Sequence, residues 1–379
     1  MIWRRLLLSA ALLIAAVLAF LYWPGLPLAL DTPPELHLSV AESFGPEAGA
    51  TANVVGIEPF METLDYATPE RFEAKLRGYL DAARSRGWLS ANTIVMFPEH
   101  VGTWLVAANQ KPRALRAGST ASAMIPIIAW NLPSFLKNYY LFHDADRAAA
   151  AVFRSRAEDV ATMTGDIFGR LAHDYGVHIV AGSTLLMTAG IYDGDALSYG
   201  HGPLYNASFM FGPDGRPVED AVRKVHPIPS ETGFTTKGRP DLLPVFKAAG
   251  RTVGVLVCAD SWFEDTTKVL ADQGADLLLV PSFLTGPWDA PWGGYVNDTP
   301  ESDAWRGDIG RISEGEAWQK YALPAQAAAH NIRWGMNVFL KGNIWELKGD
   351  GHALVVADGV LHTGTAGADT GAIYNLWLP

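Results

Sequence analysis

Three short segments place reactive side chains where strands run out. IVMFPE, residues 94–99, is an apolar β-branched run stopped by proline and followed by a carboxylate, Glu99. VRKVHP, residues 222–227, ends a second strand pattern on an amine, Lys224. VGVLVCADSW, residues 253–262, is a buried-strand pattern closed by Cys258, the single cysteine in 379 residues. In layered α/β folds the strand ends form the rim on which sites are built. Taken singly, a buried cysteine is an ordinary core residue, and Glu99 and Lys224 are ordinary turn and surface residues. Taken together they supply a reaction. A thiol attacks a carbonyl or nitrile best as thiolate, which a nearby cation and base favour. A glutamate can take the thiol proton, return it to a leaving amine and then activate water. A lysine ammonium, with the backbone N–H of Ala259 just after the nucleophile, can hold the oxyanion. These groups suffice for amide hydrolysis without a metal or organic cofactor.

The elements that must position these groups follow from pattern. Apolar runs at 53–58, 93–97, 177–181, 252–257 and 276–280 read as buried strands, with later ones at 337–339 and 353–357. Helical patterns cover 69–85, with Thr68 as N-cap, then 148–175 and 265–273. Gly212-Pro-Asp-Gly215 separates strand patterns at 205–211 and 218–225 and marks a hairpin turn. Alternating helices and buried strands define an α/β fold class with layers around sheet. Two longer stretches interrupt it. Residues 104–142 carry MIPIIAW and an aromatic cluster, and 283–321 carry Trp288, Trp292, Trp305 and Trp318. Both are expected either to pack on the domain or to wall a cleft near a membrane interface.

Composition narrows the partners. With 29 basic and 40 acidic residues the formal charge is −11, which disfavours nucleic acid as a partner. One cysteine excludes an intrachain disulfide and a cysteine-rich zinc site. No Gly-x-Ser-x-Gly elbow, His-Glu-x-x-His pair or phosphate-cradling loop occurs.

The three segments resemble the nitrilase superfamily of carbon–nitrogen hydrolases. Phe97-Pro-Glu99, Arg223-Lys224-Val-His-Pro227 and the strand from Gly254 to Cys258 match its three catalytic elements in chain order. LLLVPS at 277–282 and Tyr205-Asn206 before the hairpin turn also fit. The resemblance covers residues 52–360 and implies a nitrilase-like α-β-β-α sandwich that dimerises through helices. It implies Glu99 as base, Lys224 as oxyanion stabiliser, Cys258 as nucleophile and Glu231 as a second glutamate of the site. Asp260, Trp262 and His226 are expected to line the substrate pocket. Ala-Asp-Ser-Trp after Cys258 departs from the Trp-Glu-Asn of true nitrilases and is nearer the amidase-type branches. A small-molecule or lipid-like amide is the implied substrate. The alternative is N-acyl transfer, since an anchored, exported body is similar to the apolipoprotein N-acyltransferase branch.

The expected organisation begins with residues 1–5 in the cytoplasm and a membrane-spanning signal-anchor at 6–23. A tether at 24–50 leads to a carbon–nitrogen hydrolase domain at 51–379. Eighteen uncharged residues in a helix rise about 27 Å, close to the roughly 30 Å hydrocarbon core. Arg4 and Arg5 precede the run, and eight acids but no Lys or Arg lie between it and Arg71. That asymmetry places the body on the extracytoplasmic side. The length of the run and its Pro24-Gly25-Leu26-Pro27 flank favour a retained anchor over a cleaved signal peptide.

Overall fold

The computed structural model describes residues 2–192, 196–198, 200–295, 303 and 305–379. Two large sheets face each other. The first runs in the order β1 (Leu38–Phe44), β19 (Gly371–Leu378), β2 (Ala52–Glu58), β4 (Thr93–Met96), β5 (His178–Val180), β9 (Leu204–Phe211) and β10 (Pro217–Arg223), with β6 (Thr184–Met187) also paired to β9. The second runs β11 (Val245–Ala248), β12 (Arg251–Val255), β13 (Leu277–Ser282), β14 (Trp334–Phe339), β17 (Leu354–Ala357) and β18 (Val360–Thr363). Strands β2, β4 and β5 are parallel, as are β12, β13 and β14. Parallel strands need crossovers, and helices supply them.

The core between the sheets joins Val54, Ile94, Met96 and Met210 of the first to Val253, Leu279, Met336 and Leu354 of the second. Gly56 permits the close approach, since a Cβ there would run into Met336 Sδ and lie 2.7 Å from Val338 Cγ1. On the outer face of the first sheet, α2 (Pro69–Ser85) and α7 (Ala157–Tyr175) pack Phe72, Leu76, Phe168 and Leu171 onto Val55, Val95 and Ile179. Helix α8 (Glu264–Asp272) and the helix Leu323–Ala329 cover the second sheet. The result is a four-layer α-β-β-α sandwich, the architecture that the family resemblance implies.

Helix α2 starts where expected, its Thr68 side chain accepting from the Arg71 amide. The helical stretch at 148–175 is two helices, α6 (Arg147–Ser155) and α7, broken at Arg156 with φ −117° and ψ 3°. The Arg156 guanidinium donates to the carbonyls of Val106 and Ala108, a buried anchorage that the kink allows. Part of the tether belongs to the body: β1 pairs with β19, and Arg71 donates to Thr32 O at 2.6 Å. Residues 104–142 are largely helical, with α3 (Pro112–Leu115), α4 (Thr120–Trp130) and α5 (Leu132–Leu141).

Helix α1 (Ile2–Tyr22) lies outside the two-sheet core. Trp3–Phe20 is long and apolar enough to cross a membrane, with mean hydropathy 1.8 and none of it buried. Its exit is fixed on α3. Arg113 N donates to Pro24 O, and Arg116 donates to Leu26 O and Pro27 O. Gly25, at φ +83°, has room only for hydrogen beside Arg113.

Candidate active site

Each candidate side chain leaves its strand within one to three residues of the end. Phe97 N still bonds Val180 O, and Pro98 then turns the chain so that Glu99 points inward. Lys224 directly follows β10, its amide held by Asn206 O at 2.8 Å and its carbonyl by Gly238 N at 2.7 Å. Cys258 opens a short 3-10 helix, Cys258–Trp262, after β12. Its φ of +51° lies in the left-handed region that β-carbon-bearing residues rarely adopt. Thus one rim gathers residues from both sheets.

The centre is a buried charge cluster. Lys224 Nζ donates to Glu99 Oε1 at 2.8 Å and to Glu231 Oε2 at 2.6 Å. Asn206 Nδ2 divides its two hydrogens between Glu99 Oε1, 2.9 Å, and Glu231 Oε1, 2.8 Å. Glu231 Oε2 also accepts from Ile228 N at 3.0 Å. Glu99, Lys224, Asn206 and Glu231 are all buried. Burial alone would lower the Lys224 ammonium, but Glu231 and Glu99 outweigh it and hold its pKa well above ordinary. Burial likewise works to raise Glu231, and Lys224 with His100 overrides it, keeping that carboxylate ionised far below the usual range. Two ammonium hydrogens are committed to the glutamates, which leaves the third for another acceptor.

Cys258 lies close enough to feel these charges. Burial, then Glu99, push its thiol well above the ordinary range, while Lys224 pulls the other way. Cys258 is therefore held as a thiol. Phe283 O stands 4.0 Å from Sγ. Ala259 N sits in the first turn of the 3-10 helix, where amides have no intrahelical carbonyl to meet.

The residues expected to line the pocket serve other surfaces. Asp260 is fully buried and accepts from Val225 N at 3.0 Å and His226 N at 2.7 Å, bracing the turn that follows Lys224. Burial raises its pKa to about 6. Trp262 is fully buried and packs on Tyr295, Trp318, Trp292 and Trp305 with ring centroids 4.7–5.7 Å away. The tryptophans of 283–321 are thus core behind Cys258 and not a membrane-facing rim. His226 stacks on Phe263 at 3.9 Å and bonds Asp265 Oδ1 at 2.9 Å.

Two further residues touch the cluster directly. His100, at φ +60°, sets Nε2 3.2 Å from Glu231 Oε1 and Nδ1 2.9 Å from Thr103 Oγ1. Asn206 bridges the two glutamates. A polar residue immediately after Pro-Glu, and an asparagine paired in register with the lysine strand, were the available sequence signals. Glu99, His100 and Glu231 have oxygen and nitrogen ligand atoms close enough to share a cation. The Lys224 ammonium already sits on both carboxylates, so the arrangement suits an ammonium better than a metal.

The sequence and the fold are similar to those of known proteins. The carbon-nitrogen hydrolase family profile matches residues 122–308, a stretch containing Asn206, Lys224, Glu231 and Cys258. Glu99 and His100 precede it and join the site by geometry. A nitrilase of Pyrococcus abyssi is 30% identical over 158 residues, 41% of this chain and 52% of that protein. An omega-amidase of Xenopus laevis is 28% identical over 145 residues, 36% and 48% respectively. The alignments span about half the length of these relatives. In fold, the chain is similar to the nitrilase-superfamily amidase of Nesterenkonia AN1, with a TM-score of 0.53, 16% identity, and coverage of 88% of this chain and 94% of the other. The chain belongs to the nitrilase superfamily of carbon–nitrogen hydrolases.

Proposed function

We propose that this protein is a membrane-anchored thiol amidase that hydrolyses a non-peptide amide through a Cys258 thioester. The observation that carries this reading is the buried cluster in which Lys224 is bonded to both Glu99 and Glu231 beside the sole thiol. Cys258 Sγ attacks the amide carbonyl while Glu99 takes the thiol proton, so a C–S bond forms as the carbonyl π pair moves onto oxygen. The free hydrogen of Lys224 and the Ala259 N–H meet that oxyanion. Collapse breaks the C–N bond, and Glu99 returns its proton to the departing amine. Water then adds to the thioester with Glu99 as base, releasing the acid and restoring the thiol. Glu231, Asn206 and His100 hold Lys224 and Glu99 in place. Asp260 fixes the turn after Lys224.

The similarity to omega-amidases, with Ala-Asp-Ser-Trp after Cys258 in place of the Trp-Glu-Asn of true nitrilases, supports an amide over a nitrile. The apolar helix α1, with Arg4 and Arg5 in its first turn, supports a single-pass anchor with the catalytic body extracytoplasmic. Hydrolysis is favoured over acyl transfer because three buried polar side chains, Glu99, Glu231 and Asn206, and the partly buried His100 converge where the second nucleophile must sit, and water suits them. The test is product partitioning. Full-length protein in detergent is given a panel of short amides with rising concentrations of a competing amine. Free acid should dominate at every amine level. New amide as the main product, with an acyl-enzyme that survives for minutes in water, would replace hydrolysis by transfer.

A further inference from the structure

We propose that α4 and α5 form a second membrane contact, an in-plane apolar face that seats the catalytic body on an anionic bilayer surface. The proposal rests on the reading of α1 as the anchor and adds the surface on which the body lies. Outside α1 and its exit, the exposed large apolar side chains of the described residues are concentrated here. They are Ile125, Trp130, Leu132, Leu136, Tyr140 and Leu141, against only Leu242, Ile309 and Val360 elsewhere. A monomeric surface rarely gathers apolar residues this way without a partner.

Charge indicates what the partner is. From His100 to His143 the chain has Lys111, Arg113, Arg116 and Lys137 and no acid at all, within a protein of net charge −11. Lys111 Nζ lies 3.6 Å from the Trp130 ring centroid, and Arg147 is 4.6 Å over Tyr139. Apolar side chains with tryptophan, tyrosine and basic residues at their rim are the composition of interfacial helices, which bind anionic lipid by apolar burial plus electrostatic attraction. Lysine and arginine can lay their stems along such a face with their charges in the headgroup layer.

Continuity fixes the location. Helix α1 packs against α4, and its exit is tied to α3 through Arg113 and Arg116, immediately before α4. The guanidinium of Arg113 lies 3.8 Å over the Phe20 ring at the end of the span. A helix that leaves the bilayer at Tyr22 therefore delivers α4 to the headgroup layer. The catalytic centre is coupled to the same face. His100 is 6.3 Å from Trp104, Trp104 is 5.6 Å from Trp345, and Trp345 Nε1 donates to Ala114 O of α3 at 2.9 Å. Seating this face holds the site at a set distance from the membrane.

The test uses full-length chain in a Cys258→Ala background, reconstituted in vesicles of phosphatidylcholine and phosphatidylglycerol. Nitroxide labels are placed singly at Leu12→Cys, Leu136→Cys, Tyr140→Cys and Val360→Cys. Collision with oxygen, which partitions into lipid, is compared with collision with a water-soluble nickel chelate. Leu136 and Tyr140 are expected to show an oxygen-to-nickel ratio several-fold above that of Val360, approaching that of Leu12. Oxygen-rich Leu12 with nickel-rich Leu136 and Tyr140 would overturn the docking surface and leave the anchor standing. Low accessibility to both reagents, with spin–spin broadening lost on dilution by unlabelled protein, would assign the face to a second copy and overturn the lipid assignment. A nickel-rich Leu12 would refute the anchor, and the proposal with it.

Discussion

At the scale of single residues, the site works by committed hydrogen bonds. Lys224 keeps its charge because two carboxylates face it, and Glu231 stays ionised because of that ammonium and His100. Glu99, Lys224, Cys258 and Glu231 were legible because their chemistry converges on one reaction and their segments resemble one family. His100 and Asn206 were not, because what recruits them is spatial: one follows a strand end, the other comes from the neighbouring strand. Asp260 was read as lining the pocket just after Cys258, while its partners, two backbone amides 34 and 35 residues away, were not legible. Asp260→Ala would strand those amides and let the Lys224 turn relax. Misplacement of a catalytic group by about 1 Å can cost about 10²-fold. We expect kcat to fall between about tenfold and that limit, with KM changed far less. Steady-state kinetics against a responsive amide checks this, and an equal rise in KM would return Asp260 to the substrate pocket.

At the scale of elements, period and punctuation gave reliable starts. Thr68 and the Gly212-Pro-Asp-Gly215 turn act as local chemistry requires, with Gly215 at φ +81°. Local pattern failed where tertiary partners decide. The break at Arg156 exists to bury a guanidinium on two carbonyls, which no helical periodicity encodes. The tryptophans after β13 look like an interface belt in sequence, yet they close over Trp262. The closeness of the two sheets depends on Gly56. Gly56→Ala should destabilise by about 1–3 kcal/mol, the usual cost of forcing extra volume into a packed core. Chemical denaturation would show it, and an unchanged midpoint would mean that Met336 and Val338 yield freely.

At the scale of the whole molecule, the two sheets are also joined by a buried ionisable group. Glu58 on β2 accepts from Phe339 N of β14 at 2.9 Å and faces Lys341 at 3.8 Å. Burial raises its pKa from the ordinary 4.5 to about 7, with Lys341 and the Phe339 amide opposing. A carboxyl raised in the folded state stabilises fully below its unfolded pKa, and that contribution is lost as pH rises through 7. The shift corresponds to on the order of 3 kcal/mol. Wild-type stability should therefore decline between about pH 4.5 and 7, and Glu58→Gln should flatten the decline. Equal slopes for the two proteins would assign the pH dependence to other groups.

In the proposed mechanism the acyl group passes through the only thiol. The most direct measurement of this is peptide mass spectrometry of full-length protein quenched in acid during turnover of a responsive amide. The adduct should carry the acyl mass on Cys258, disappear as substrate is exhausted, and convert to hydroxamate when hydroxylamine is added. Cys258→Ala should show neither adduct nor ammonia release while retaining the wild-type fold. Ammonia release by Cys258→Ala at the wild-type rate would contradict the account.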